Sequence, residues 1–287
     1  MTIAFDYNTA FSRNVGWVTQ EEQQQLRGKR VAIAGLGGVG GRHLLTLARL
    51  GIQNFNIADP DVFEIANFNR QLGADTDSVG RNKIDVMSEL ASAVNPGLHL
   101  QRFPNGVTEQ NLNAFLDGAD LYVDGLDFFV VDIRERVFAK CAARGIPAIT
   151  AAPLGMGTAF LAFMPGKMTF EEYFRMQGQT TREKLLRFLV GLSPAMLQMN
   201  YLVDPTSADF DNHKGPSTPM GCDLSAGVIG SMALKVLLGR GNVPAAPRGM
   251  HFDAYRNKFT RTWRPGGMNN LFQQLMLTIA RKKLGGA

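Results

Sequence analysis

Cysteine is scarce in this chain. Its 287 residues hold two, Cys141 and Cys222, too few for a disulfide framework or a four-cysteine zinc site. No zinc is expected, and a pair of thiols suits a reducing compartment, so the expected location is cytoplasmic. Histidine numbers only four; His213, in a polar loop, and His251 read as structural or exposed rather than catalytic. Long apolar runs are missing too. The longest uncharged stretch, residues 188–203, is shorter than the roughly 20 residues that span a bilayer and is broken by Pro194, so no membrane span is expected. The first thirty residues lack a basic segment leading into an apolar run and do not read as a signal peptide. No fixed-period repeat or low-complexity tract occurs.

What is present is a soluble composition with a formal charge of +5, spread along the chain with some clustering at the C-terminal end. That balance permits nucleic-acid binding without implying it. From residue 30 onward, apolar strands alternate with amphipathic helices. Strands are expected at 31–34, 55–58, 98–103, 121–123 and 146–151, and helices at 41–50, 81–94, 112–116 and 132–144. This alternation predicts an α/β fold: a Rossmann-like, doubly wound, mostly parallel sheet with a helical insert and a C-terminal extension. The pattern divides the chain into an N-terminal arm (1–29), a nucleotide-binding domain (30–166), a helical and loop insert of unassigned role (167–221), and a C-terminal core helix with its extension (222–287). Within these, 170–197 reads as mostly helical, 204–219 as a polar loop and 224–238 as an apolar helix. Residues 269–283 read as a basic amphipathic helix with Leu271, Leu275, Ile279 and Leu284 on the side that docks.

Gly35, Gly37 and Gly40 make a G-x-G-x-x-G turn between the first strand and its helix, and Gly38 adds a fourth glycine. Such a turn lets backbone N–H groups approach a phosphate at a helix N-terminus. Asp59, at the end of the second strand, suits ribose hydroxyls. Taken alone these features favour NAD. The following segment changes the reading: Asp61, Asn67, Arg70 and Gln71, with Lys83 at a helix start, add amide, guanidinium and ammonium donors suited to a triphosphate. The bland alternative makes Arg70 and Lys83 surface ion-pair partners. Asp124 and Asp127 follow a buried strand, where a carboxylate can hold Mg²⁺ or simply cap a helix.

These motifs together resemble the ubiquitin-activating E1-like superfamily, in particular its ThiF, MoeB and HesA branch. The resemblance covers roughly residues 11–166, with a weaker echo over 222–239. It implies ATP and Mg²⁺ as cofactors, with Asp59 on the ribose, Asn67, Arg70 and Lys83 on the phosphates, and Asp127 on Mg²⁺. Phe11-Ser12-Arg13-Asn14 is similar to the family's Y-x-R-Q, which makes Arg13 a candidate arginine finger acting across a homodimer. The chain departs from the family in lacking paired CxxC motifs, in Phe128 where Asn is common, and in Gly41 and Ala66 at common serine positions. Cys222 falls near a region that holds a reactive cysteine in some relatives; the alternative is an inert core thiol.

The implied reaction is adenylation of a carboxylate, with release of pyrophosphate. The implied partner is a small ubiquitin-like or sulfur-carrier protein, or a peptide. The alternatives are an E1-like tRNA-modifying dehydratase, a non-catalytic E1-like scaffold and an NAD-dependent oxidoreductase.

Overall fold

Residues 31–34, an uncharged run stopped by glycine, form the central strand of the first of two compact units. The computed structural model describes residues 4–204, 207 and 212–284. Residues 4–126 and Ile229–Val243 make one unit, and Asp127–Val228 with residues 244–284 the other. The middle of the expected polar loop at 204–219 lies outside the described residues.

In the first unit, α1 (Tyr7–Ala10) and α2 (Gln20–Gly28) lead into β1 (Arg30–Ala34), α3 (Gly40–Arg49), β2 (Asn54–Ala58), α4 (Lys83–Val94), β3 (His99–Phe103), α5 (Leu112–Phe115) and β4 (Leu121–Asp124). The four strands are parallel, in the order β3-β2-β1-β4. Strand order therefore reverses between β1 and β4, the switch point where ligands bind at carboxyl ends in sheets of this type. Every residue from Val31 to Ala34 and from Leu121 to Val123 is fully buried, as parallel strands covered on both faces require. Register aligns Ala34 with Ala58 on one side and with Asp124 on the other. The residues that follow these three, Gly35, Asp59 and Gly125, thus leave the sheet side by side. Thr19 and Glu22 form a capping box that starts α2, and Gly51, at φ +91°, ends the turn after α3.

The second unit contains α6 (Val131–Arg144), β5 (Ala148–Leu154), β6 (Gly157–Phe163), α7 (Phe170–Phe174), α8 (Thr181–Leu192), the first part of α9 (Pro219–Leu237), then β7 (Arg248–Asp253), β8 (Lys258–Trp263) and α10 (Leu271–Leu284). Its strands run antiparallel in the order β5-β6-β7-β8. The strand expected at 146–151 begins two residues later and turns back through Gly155, at φ +58°, into β6 rather than into another helix. The α/β class and the Rossmann-like order hold, and the parallel pairing belongs to β1–β4. The helices expected over 170–197 dock through rings: Phe138 and Phe170 stack at 4.5 Å, and Phe170 and Phe174 lie 4.5 Å apart.

Helix α10 forms where expected but docks by a different side. Gln273 and Leu277 are fully buried and Ala280 nearly so, whereas Leu271 is 87% and Leu275 55% exposed. The side chain of Leu284 lies outside the described residues. The helix carries two apolar stripes, and the partners decide: Leu277 and Ala280 complete a cluster with Leu186, Val190 and Met268. Helix α9 begins five residues earlier than the expected 224, so Cys222 lies inside it. By length and composition α9 could cross a membrane, but half of it is buried in the fold, along the stripe Ala226, Ile229, Ala233 and Leu237.

Candidate nucleotide site

The glycine turn is held by contacts that no side chain could share. Gly35 has φ +82°, and a Cβ there would lie 2.2 Å from the Gly125 carbonyl oxygen. A Cβ on Gly40 would lie 1.8 Å from the Gly35 oxygen. Gly125, which sequence reasoning did not single out, closes the same packing from the turn after β4. Gly37 differs, since its Cβ would make ordinary contact, 3.5 Å from Gln71 Nε2. Gly37 and Gly38 are partly exposed. No side chain caps the N-terminus of α3, so its first N–H groups form an anion-favouring end.

Asp59 is 4% exposed, and its Oδ2 accepts from the Leu36 N–H at 2.6 Å while Oδ1 accepts from the Asp61 N–H at 2.8 Å. Burial raises its pKa, against the lowering effects of those two hydrogen bonds and of nearby Lys83. The carboxylate therefore ties the end of β2 to the glycine turn, with lone pairs remaining for a ligand. Lys83, nearly buried at the start of α4, places Nζ 3.1 Å from Asp61 Oδ2 and donates its backbone N–H to the Asp61 oxygen at 2.9 Å. Asp61 itself is exposed.

Asn67 Oδ1 accepts from the Glu64 N–H at 3.0 Å, fixing the short turn that leads to Arg70. The Arg70 guanidinium donates to the Ala66 oxygen at 2.9 Å and to Asn69 Oδ1 at 3.0 Å, and meets no carboxylate among the described residues. Gln71 lies against Gly37 with its buried Oε1 lacking any hydrogen-bond partner. A buried orphan acceptor costs free energy, and here it borders the glycine turn. Arg42, which sequence reasoning missed, donates to the oxygens of Gly38 and Arg70 and joins the two segments. An Arg in the first turn of a helix opposes the helix dipole, and that violation was the available signal.

Arg13 occupies the short 3₁₀ turn Ser12–Asn14 and is exposed, with no polar partner among the described residues. Asn14 anchors that turn by donating to the Arg49 oxygen at 3.2 Å. On α3, His43 is fully buried with both ring nitrogens unpartnered, and burial pushes its pKa down to about 3. It is a neutral core imidazole.

Asp124 is buried; its Oδ1 accepts from the Leu126 N–H and the Tyr122 hydroxyl, both at 3.3 Å. In the second unit Asp127 is exposed, and its Oδ1 accepts from the Phe129 N–H at 3.0 Å. The loop that carries it is stitched by Arg134, which is 2% exposed and donates to the Asp127 oxygen at 3.0 Å and the Val130 oxygen at 2.8 Å. The Arg134 guanidinium lies 4.4 Å over the Phe188 ring, which also packs on Phe128 at 5.5 Å. Phe128, the departure at the usual Asn, is thus a packing anchor. No cluster of three or more His, Cys, Asp or Glu suited to a metal occurs among the described residues. An exposed single carboxylate such as Asp127 fits Mg²⁺, which is held by one or two acids together with substrate phosphates and water. Cys222 is 1% exposed, with Ser217 Oγ 4.0 Å from its sulfur. Cys141 is buried, and burial drives its pKa up to about 12, so it is inert.

A parallel sheet with a three-glycine turn at its switch point, an acid behind the turn and cations around it defines a nucleotide-binding α/β protein. The chain belongs to the ThiF family, whose profile matches residues 11–270. It is 33% identical over 141 residues to the tRNA threonylcarbamoyladenosine dehydratase of Bacillus subtilis, covering 49% of this chain and 55% of that protein. It is 30% identical over 148 residues to the sulfur carrier protein ThiS adenylyltransferase of Escherichia coli, covering 52% and 58%. The matched part is thus little more than half the length of these relatives. The crystal structure of E. coli MccB with ATP shares the fold at a TM-score of 0.65 and 19% identity, covering 91% of this chain and 73% of that one. The homologues are ThiF- and MoeB-like E1-like enzymes, with ThiS adenylyltransferase among them.

Proposed function

We propose that this chain is an ATP-dependent adenylyltransferase that activates a carboxylate as an acyl-adenylate. One observation carries the reading: the glycine turn, Asp59, Lys83, Arg42 and Arg70 all belong to the carboxyl end of one parallel sheet or to the segments tied to it. An NAD site needs the first two, and a triphosphate, with its greater negative charge, is the better match for the added cations. In the reaction, a carboxylate oxygen of the acceptor bonds to the α-phosphorus of ATP as the bond to the bridging oxygen breaks, and pyrophosphate leaves with that electron pair. The carboxylate is ionised at neutral pH, so no general base is required. Lys83 and Arg70 stabilise the charge that grows on the phosphate oxygens, in positions fixed before the reaction begins. Mg²⁺, when bound, neutralises phosphate charge, and Asp127 is its proposed protein ligand. Arg13, exposed and without a polar partner among the described residues, is proposed to reach a second copy's triphosphate in a homodimer.

Similarity to the ThiS adenylyltransferase supports the C-terminus of a carrier protein or peptide as the acceptor, and similarity to the tRNA dehydratase supports a tRNA-borne group activated by the same chemistry. The test is exchange of labelled pyrophosphate into ATP, with synthetic peptides bearing free or amidated C-termini and, in parallel, bulk tRNA. Exchange with free carboxylates alone supports carrier or peptide activation. Exchange with tRNA alone moves the acceptor to tRNA. Failure of every acceptor, together with no affinity for Mg·ATP, overturns adenylation.

A further inference from the structure

The β7–β8 hairpin ends the second unit's sheet, with β8 as its edge strand. Register sets Arg248 opposite Trp263, Met250 opposite Arg261, and Phe252 opposite Phe259. Opposed residues of an antiparallel pair project to the same face, so these six form three rungs of one surface. The other face is the buried one: His251 and Asp253 are fully buried and Thr262 is 6% exposed. On the open face Phe259 is 52% and Trp263 61% exposed, and the Arg261 guanidinium lies 5.9 Å over the Phe259 ring. Tyr255, at the hairpin turn, is 62% exposed.

Charge here is one-sided. Between 244 and 287 the sequence has eight Lys or Arg and a single acid, Asp253. That acid is buried and accepts from the Tyr201 hydroxyl at 2.7 Å. Arg248, Lys258 and Arg261 have no carboxylate partner among the described residues. Isolated exposed rings are ordinary, but rings alternating with unpaired guanidinium groups on an edge strand contribute nothing that this fold needs. A dry protein partner would strip water from these cations without pairing them, which is costly. A polyanion with flat faces satisfies both residue types, since rings and guanidinium planes stack on bases while cations meet phosphates.

We propose that the open face of β7–β8 binds single-stranded nucleic acid, with bases on Phe259 and Trp263 and phosphates on Arg248 and Arg261. Phe259 and Trp263 stand roughly 13 Å apart along the strand, with Arg261 between them, so the strand offers three successive stacking planes. Binding of this kind tolerates any sequence and weakens steeply with salt. The proposal stands on the second unit alone and is independent of the adenylation reading.

The test uses the full chain and a fluorescein-labelled 12-nucleotide oligouridylate, followed by anisotropy across a salt series. The expected result is saturable binding that weakens on the order of tenfold or more in Phe259→Leu/Trp263→Leu, which keeps bulk but removes the rings. In Arg248→Gln/Arg261→Gln the slope of log affinity against log salt falls by about 1.4 for two lost phosphate contacts. Trp17 and Trp263 are the two tryptophans, so in Trp17→Phe protein stacking is read directly as quenching of Trp263. No binding at low salt overturns the proposal. So does unchanged affinity in the ring variant with native circular dichroism, or equal competition and equal Trp263 quenching by polyglutamate, which would reassign the face to an acidic protein.

Discussion

Gly40 and Gly37 sit in one turn and respond to the same substitution in opposite ways. A methyl at Gly40 would press on a backbone oxygen at 1.8 Å, which cannot yield, whereas one at Gly37 meets only the flexible end of Gln71 at 3.5 Å. Gly40→Ala is expected to destabilise the protein by about 1–3 kcal/mol or more in urea titration. Gly37→Ala is expected to fold within about 0.5 kcal/mol of wild type yet lose nucleotide affinity, because a ligand then meets a methyl where backbone was open. The buried histidines set the acid limit. Burial lowers the pKa of His43 to about 3 and of His251 to about 4, so the folded protein excludes protons that the unfolded chain binds. Their contribution is complete above about pH 6.5 and is lost as pH falls toward those values, with a slope of about 1.4 kcal/mol per pH unit for each. His43→Leu should flatten that dependence in unfolding curves measured from pH 7 to 4. Asp59 works in the opposite sense: its raised pKa means that keeping the charged form at neutral pH costs stability, which marks a group kept for a ligand. Gly35, Asp59 and Lys83 were legible because chain spacing alone carries the βαβ geometry. Arg42 was not, since it acts through the remote oxygen of Arg70, nor was the unpartnered oxygen of Gln71, which depends on tertiary packing; Arg134 reaches carbonyls only four and seven residues back, and nothing in the sequence distinguishes it from an ordinary helical arginine.

Among the elements, β1, β2 and β4 were legible because strands buried on both faces read as uncharged runs between helices; β3, the exposed edge strand, was legible from its place in the alternation of strands and helices. Strands β7 and β8 carry Arg248 and Arg261 on an open face, and β8 buries only Thr262 among its six residues, so no such run announced them. The turn 155–157 separates two uncharged stretches and reverses the chain, but nothing local distinguishes a hairpin there from a crossover. Helix α10 shows the same limit, because two apolar stripes compete and only Met268, Leu186 and Val190 reveal which one docks. Leu277→Ala is therefore expected to cost about 2–5 kcal/mol, and Leu275→Ala less than about 0.5, in parallel urea titrations. On α6, Arg134→Met keeps the packing on Phe188 but frees the oxygens of Asp127 and Val130 in the loop after β4. The expected outcome is a fold that survives with nucleotide affinity lowered at limiting Mg²⁺, measured by titrating Mg²⁺ at fixed ATP.

For the whole molecule, charge and chemistry divide. Basic residues at 244–287 exceed acids by more than the chain's entire formal charge of +5, while the cations proposed to meet ATP belong to the other unit. If Arg13 serves a second copy, mixing Arg13→Ala with Lys83→Ala protein should restore part of the activity through hybrid dimers, and failure after demonstrated subunit exchange contradicts the trans role. Ligand linkage offers an independent measure, since Mg·ATP at a hundred times its dissociation constant should add about 2.7 kcal/mol to stability. Calorimetric titration of the wild type and of Arg70→Ala with Mg·ATP and, separately, with NADH distinguishes a triphosphate site from a dinucleotide site. Wild type is expected to bind Mg·ATP, chelation of Mg²⁺ or loss of Arg70 to weaken that binding, and NADH to give no signal. NADH binding with no response to Mg·ATP would contradict a triphosphate site.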